Sequence, residues 1–251
     1  MPEHLQAAAK YTFYGKEEAR EKFFVKGEGV EDGLVGAVEY EAGSLSAYKF
    51  VCGLLKLCLK KAKEEERGFE IFTHTPAEEI TKEGEIWRVK TKRGTLKAKR
   101  VVMATNGYTA FLVPKFHKRI VPFRGQTIAQ RPGKDIPKEG LGRTYSFIYG
   151  RGYEYMISRP PGSVGEGDII IGGGLVKCAG EGESQFGVTN DGDLEDSITD
   201  YLRGTLKSFF GGAGWGEESR VREWSGIMGE SCDGLPFVGR VPGRLRSGIF
   251  L

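Results

Sequence analysis

The three histidines and four cysteines are the side chains best suited to hold a metal or attack an electrophile. His4, His74 and His117 stand far apart, and no two of Cys52, Cys58, Cys178 and Cys232 form a C-x-x-C pair. No zinc spacing results, and the cysteines read as free, buried thiols of a reducing compartment. Glycine-rich sites come next. A dinucleotide phosphate cradle places G-x-G-x-x-G between a strand and a helix, so that backbone approaches the pyrophosphate and the helix N-terminus faces its charge. Gly27-Glu28-Gly29 fails that spacing at Asp32, and Gly214-Trp215-Gly216 fails at Ser219. Gly172-Gly173-Gly174 would need its third glycine at Lys177, and reads instead as a β-turn or a close strand crossing.

The elements that must position any site fall into two styles. From Ser44, a candidate N-cap, to Arg67, the positions Tyr48, Val51, Cys52, Leu55, Leu59 and Ala62 recur at three- and four-residue spacing. That is one face of an amphipathic helix, stopped at Gly68. Phe69 to Thr73 reads as a short strand. Ile86 to Thr91 alternates as a half-buried strand, Arg93-Gly94 turns, and Thr95 to Lys97 returns beside it. Arg100 to Thr105 is an apolar run of the kind found in buried parallel strands. After Pro114 the pattern changes. Ile120–Gln130, Thr144–Tyr149, Tyr153–Ser158, Asp168–Ile171 and Val221–Ile227 are β segments between Gly- and Pro-rich turns, which predicts a mostly antiparallel sheet. Leu194, Ile198, Tyr201, Leu202, Thr205, Phe209 and Phe210 mark a second amphipathic helix. Gly248 to Leu251 begins one more strand. Residues 1–43 resist assignment beyond a partly helical start.

Composition sets outer limits. A net charge of +3, from 37 basic and 34 acidic residues, lacks the clustered basic excess that nucleic acid requires. No apolar stretch approaches the roughly 20 residues that span a bilayer, and no signal peptide or peroxisomal tripeptide is seen. A cytoplasmic protein with no membrane partner is expected. Oligomeric state is not legible.

Several segments carry a resemblance when taken in order. Val101-Val102-Met103-Ala104-Thr105-Asn106-Gly107-Tyr108-Thr109, then Ile120-Val121-Pro122-Phe123-Arg124-Gly125-Gln126, then Trp224-Ser225-Gly226-Ile227-Met228-Gly229, then Asp233-Gly234-Leu235-Pro236-Phe237-Val238-Gly239 resemble successive elements of the D-amino-acid-oxidase-like FAD oxidoreductases. The likeness runs over about 35–251 and is nearest to a fungal branch and to bacterial γ-glutamylputrescine oxidoreductases. It implies α/β plus α+β architecture: a partial FAD/NAD(P)-binding, glutathione-reductase-like domain with an inserted, mostly antiparallel substrate sheet. The implied limits are 1–117 for the FAD-binding part, 118–228 for the substrate domain and 229–251 for a return to the first.

The same resemblance implies the chemistry: oxidation of a C–N bond in a small amine or amino-acid-like substrate, by hydride transfer to flavin. Pro76, Ala104, Thr105, Asn106, Asp233, Leu235 and Pro236 match cofactor-facing stretches. A plain strand end at 104–106 and a self-bonded carboxylate at Asp233 are the alternatives. Tyr145, Tyr149, Tyr153 and Tyr155 become candidate pocket walls, with no catalytic acid or base assigned. Glycine-oxidase-like members place a carboxylate-binding arginine where this chain has Met228, so an amine or side-chain amide is the expected substrate. Cys232 lies several residues past the family's flavin-linked cysteine, and no thioether is expected. His4-Leu5-Gln6 resembles the stretch just past a flavin-contacting loop. With three flavin-binding loops unmatched, including the phosphate cradle, an incomplete chain and weak FAD binding are expected. A non-catalytic remnant or binding module, keeping the substrate fold without FAD, is the other reading.

Overall fold

The computed structural model describes residues 10–28, 33–215, 217–241 and 248–250. The likeness at His4-Leu5-Gln6, and Leu251, lie outside them. The chain divides into two compact units. One takes in Arg124–Ile227 with the described part of the first 44 residues, and the other takes in Leu45–Phe123 with residues from Met228 onward. The sequence pattern groups the N-terminal stretch with 45–117, whereas its contacts lie in the antiparallel unit.

In that first unit, β1 (Thr12–Gly15) pairs antiparallel with β2 (Gly36–Glu39), and α1 (Lys16–Phe23) lies between them in sequence. The unit also holds most of a five-stranded sheet: β7 (Ile120–Arg131), β8 (Tyr145–Tyr149), β9 (Gly152–Ser158), β10 (Ile169–Gly172) and β11 (Glu217–Ser231), in the order β11-β7-β10-β9-β8, with Ile120–Phe123 and Met228–Ser231 belonging to the second unit. Helix α4 (Asp196–Phe210) covers one face. Its Ile198, Leu202, Leu206, Phe209 and Phe210 are at most 2% exposed and pack with Ile128, Met156, Ile169 and Ile171 of the strands. Each such side chain contributes roughly 1.5–3 kcal/mol over its exposed state.

Polar groups also fix the helix on the sheet. Glu195, the N-cap residue, makes no side-chain cap. Gln126 does the work from across the interface: its Oε1 accepts from Glu195 N (2.8 Å), and its Nε2 donates to Thr199 Oγ1 (2.6 Å). Gln130 Nε2 donates to Leu202 O (2.7 Å), and Arg124 donates to Gln185 Oε1 (2.9 Å). The Arg-Gly-Gln motif is thus a helix anchor, satisfying groups that burial would otherwise leave unpaired.

The second unit holds α2 (Ala47–Glu64), the hairpin strands β3 (Ala77–Glu83), β4 (Ile86–Thr91) and β5 (Gly94–Ala98), then β6 (Arg100–Val102), the single turn α3 (Thr109–Leu112) and β12 (Gly248–Phe250). β12 pairs parallel with β6, in keeping with the apolar run at the chain's end. A core of Ile80, Trp87, Met103, Val113, Phe116 and Val241 lies in this unit. No described helix is long and apolar enough to cross a membrane.

Several expectations are corrected here. α2 is capped by Ser46, whose Oγ accepts from Lys49 N, and not by Ser44. Its apolar face is uncovered, with no buried residue along its length. Phe69 to Thr73 is not a strand; it pairs with no strand among the described residues, and a strand exists only as a paired element. β6 ends at Val102, which is 68% exposed, so the run is buried only in part, at Met103. All four cysteines are free, but only Cys178 is buried.

Candidate functional site

The four candidate tyrosines occupy two different surfaces. Along β9, Gly152, Glu154 and Met156 point into the core while Tyr153 and Tyr155 point out, 54% and 41% exposed. Register places Ile148 opposite Tyr153, and both Ser146 and Gly172 opposite Tyr155. These residues share the sheet face away from α4. A Cβ on Gly172 would lie 2.4 Å from the Tyr155 hydroxyl, so glycine is what lets that phenol lie across β10. On β11, Glu223 bonds Thr199 and Arg203 of α4, and Ser225 bonds Asp191 O. Alternation then turns Trp224, 43% exposed, to the open face. The result is an aromatic surface with phenol and indole donors and no carboxylate or imidazole among the residues named. It can wall off and orient a small organic molecule.

Tyr145 and Tyr149 belong to the opposite side. They pack on Phe209 and Phe210 of α4 with ring centroids 5.6–6.3 Å apart, and burial pushes each phenol up to about 12. They border a cleft of the first unit, not the open sheet face. The four candidate pocket-wall tyrosines thus divide between two surfaces, because a hairpin register fixes which side chains share a face.

Behind Tyr153 and Tyr155 sits a group that the sequence motifs did not single out. Glu154 is fully buried. Its Oε1 accepts from Tyr149 (3.0 Å) and from Gly174 N (3.2 Å), and Tyr149 is hydrogen-bonded in turn to Tyr201. Oε2 has no partner. Burial raises the Glu154 carboxyl above the usual range, opposed by its hydrogen bonds and by the charge of Lys177, whose Nζ stands 4.7 Å from the Tyr201 ring centre. The signal was present in Tyr153-Glu154-Tyr155, where strand alternation must send the glutamate opposite to the tyrosines.

The seven cofactor candidates all fall in the second unit. Ala104 and Asn106 are exposed at the end of β6, and Thr105 is half-buried. Asn106 adopts a φ of 47°, and its Oδ1 accepts from Gly229 N at 2.7 Å. A Cβ on Gly229 would meet that oxygen at 2.8 Å. The Asn-Gly motif near β6 and the Met-Gly motif ending β11 are thereby joined. Asp233 Oδ1 accepts from Leu235 N (3.1 Å) and Ser231 Oγ (3.0 Å), and these bonds hold its carboxyl below the usual range. Leu235 is 65% exposed, and Pro76 and Pro236 are exposed too. Met228 is exposed on β11.

An FAD needs a pyrophosphate cradle and free polar groups for its rings. Among the described residues no glycine-rich turn opens a helix in the required spacing. Asn106 Oδ1 and Asp233 Oδ1, one oxygen of each expected ligand-facing side chain, are engaged within the protein. The described residues therefore do not by themselves fit the cofactor.

The model of the family described as FAD dependent oxidoreductase matches residues 3–251. A D-amino acid dehydrogenase of Cereibacter sphaeroides is 30% identical over 223 residues, covering 84% of this chain and 45% of that protein. The chain thus spans about half the length of the curated relatives it matches. Among solved structures, glycine oxidase from Geobacillus kaustophilus aligns with a TM-score of 0.63 at 19% identity, covering 96% of this chain and 56% of that one. L-proline dehydrogenase from P. horikoshii aligns at 0.57 and 17%, covering 96% and 57%. At these identities the structures support the fold alone.

Proposed function

The chain belongs to the FAD-dependent oxidoreductase family, and from that premise we propose that it supplies the substrate-facing part of an enzyme that oxidises a C–N bond in a small amine or amino-acid-like molecule. The relative named as a D-amino acid dehydrogenase supports that substrate class. FAD, when bound in such an enzyme, supplies the hydride acceptor. The observation that carries the reading is the open aromatic face of the five-stranded sheet. There Tyr153, Tyr155 and Trp224 stand exposed, and Gly172 makes room for the Tyr155 phenol. These side chains exclude water and orient the substrate; no acid or base is assigned. Within the family we place the chain near the γ-glutamylputrescine oxidoreductases and a fungal branch, on the order of its motifs. Met228 in place of an arginine favours a substrate without a free α-carboxylate.

A second reading, a binding module that keeps this sheet without FAD, is favoured by the internal engagement of Asn106 and Asp233. One experiment separates the two. FAD is titrated into the purified chain while flavin fluorescence anisotropy is followed, and amines and amino acids are then added without oxygen. Saturable binding with flavin bleaching by amines supports the oxidoreductase. Bleaching by free α-amino acids in preference to amines defeats the substrate assignment. A cooperative, colourless domain that leaves flavin anisotropy unchanged and shows no saturable amine-induced change in tyrosine or tryptophan fluorescence supports the binding module.

A further inference from the structure

The first unit holds a cleft of about 1410 Å³, larger than the roughly 300–1,000 Å³ of ordinary small-molecule sites. Residues 33–44 and 139–149 line it in unbroken runs. A strand face offers alternate residues to a surface, whereas a run of both parities is what a strand edge presents. The bonding agrees. β2 is paired on one side only, to β1, and β8 on one side only, to β9. Neither Val35–Ser44 nor Thr144–Tyr149 makes any other backbone hydrogen bond with a described residue. Among the described residues, each edge therefore presents N–H and C=O groups with no backbone partner, a template for another chain. Between them Ala19, Phe23 and Phe209, all buried, supply an apolar floor.

The charges have a direction. Both guanidinium groups of the lining are engaged: Arg143 Nε donates to Glu39 (3.2 Å), and Arg159 donates to the Val164 carbonyl. The Arg143–Glu39 contact joins side-chain tips and leaves the two backbones unpaired. Glu41 and Glu139 are exposed and make no ion pair with a described residue. The available charge in the cleft is negative.

We propose that this cleft binds an extended polypeptide bearing lysine or arginine, laid as a strand between β2 and β8. Main-chain hydrogen bonds on both sides hold it, alternate side chains meet the apolar floor, and Glu41 and Glu139 receive its cations. An eight-residue segment would span about 26 Å at ~3.3 Å per residue, enough to run the length of the four-residue β2 and the five-residue β8.

The test uses the full chain and fluorescence anisotropy with a dye-labelled, end-capped peptide of eight residues alternating threonine and lysine. Saturable binding is expected. Methylating alternate amide nitrogens, which removes strand donors, is expected to weaken it about tenfold, or 1.4 kcal/mol. Replacing lysine with glutamate in the peptide, or combining Glu41→Lys with Glu139→Lys in the protein, is expected to weaken it similarly. No saturable binding of the lysine peptide overturns the proposal. So does binding that survives amide methylation unchanged, since that is adhesion by charge alone. The peptide arms use the unaltered protein, so they stand even where a variant folds poorly.

Discussion

Replacing Glu154 separates the cost of a buried hydrogen-bond acceptor from the cost of a buried charge. In Glu154→Leu, the buried Gly174 N–H loses its acceptor, a loss of about 1–3 kcal/mol. Tyr149 keeps Tyr201 as its partner, so it adds little. The leucine regains about 1 kcal/mol of apolar burial, and the net destabilisation is on the order of 1–2 kcal/mol. Glu154→Gln keeps an acceptor at Oε1 and mimics the neutral acid. The carboxyl is raised in the folded state, mainly by burial. Its contribution is therefore fully present below the unfolded pKa of about 4.3 and is lost as pH rises through the folded value. Each unit of upward shift is worth about 1.4 kcal/mol of that loss. Urea unfolding of the native protein and both variants across mildly acidic to mildly alkaline pH measures this. The native protein is expected to lose stability relative to Glu154→Gln as pH rises, then to plateau. A Glu154→Gln curve parallel to the native one throughout, or a Glu154→Leu variant as stable as the native protein, refutes the reasoning.

Other perturbations probe separate parts of the account. Leu202→Ala, at a position with no solvent exposure, is expected to cost about 2–5 kcal/mol in chemical denaturation; a loss under about 1 kcal/mol would show that α4 does not seal the sheet. Asn106→Ala removes the acceptor for Gly229 N and places alanine at a φ of 47°, and is expected to cost about 2 kcal/mol. Asn106→Gly, free of the backbone strain, should cost less, and equal losses would remove strain from the explanation. Gly172→Ala drives a methyl into the Tyr155 phenol and is expected to cost about 1–3 kcal/mol while shifting the Tyr155 ring resonances. Unmoved resonances would show that the ring does not lie there.

Much of the fold was legible because its periodicities are clean. The α4 stripe from Ile198 to Phe210 and the alternation of Ile86 to Thr91 each specify one buried side, and both elements form over those residues. β3 was missed because Ala77 to Glu83 is largely charged and buries only Ile80. The run from Phe69 to Phe72 has strand composition, but composition cannot supply a bonding partner. The apolar stripe of α2 correctly announced a helix, while burial depends on what lies against it. At the candidate site the difficulty was one of faces. Tyr153 and Tyr155 look like core residues and Glu154 looks like surface, yet the glutamate is buried and the tyrosines are exposed. Side-chain polarity suggested the wrong face. Strand alternation held, and the network of Tyr149, Tyr201 and Gly174 explains why burial of a carboxyl is tolerated.

Backbone amide shifts of the nitrogen-15-labelled chain, recorded while a small primary amine is titrated in, bear most directly on whether the open sheet face receives substrate. The account predicts saturable shifts at Tyr153, Tyr155, Gly172 and Trp224, and weaker ones when the amine is replaced by D-alanine. Shifts absent from those four residues, or larger for D-alanine than for the amine, would contradict it.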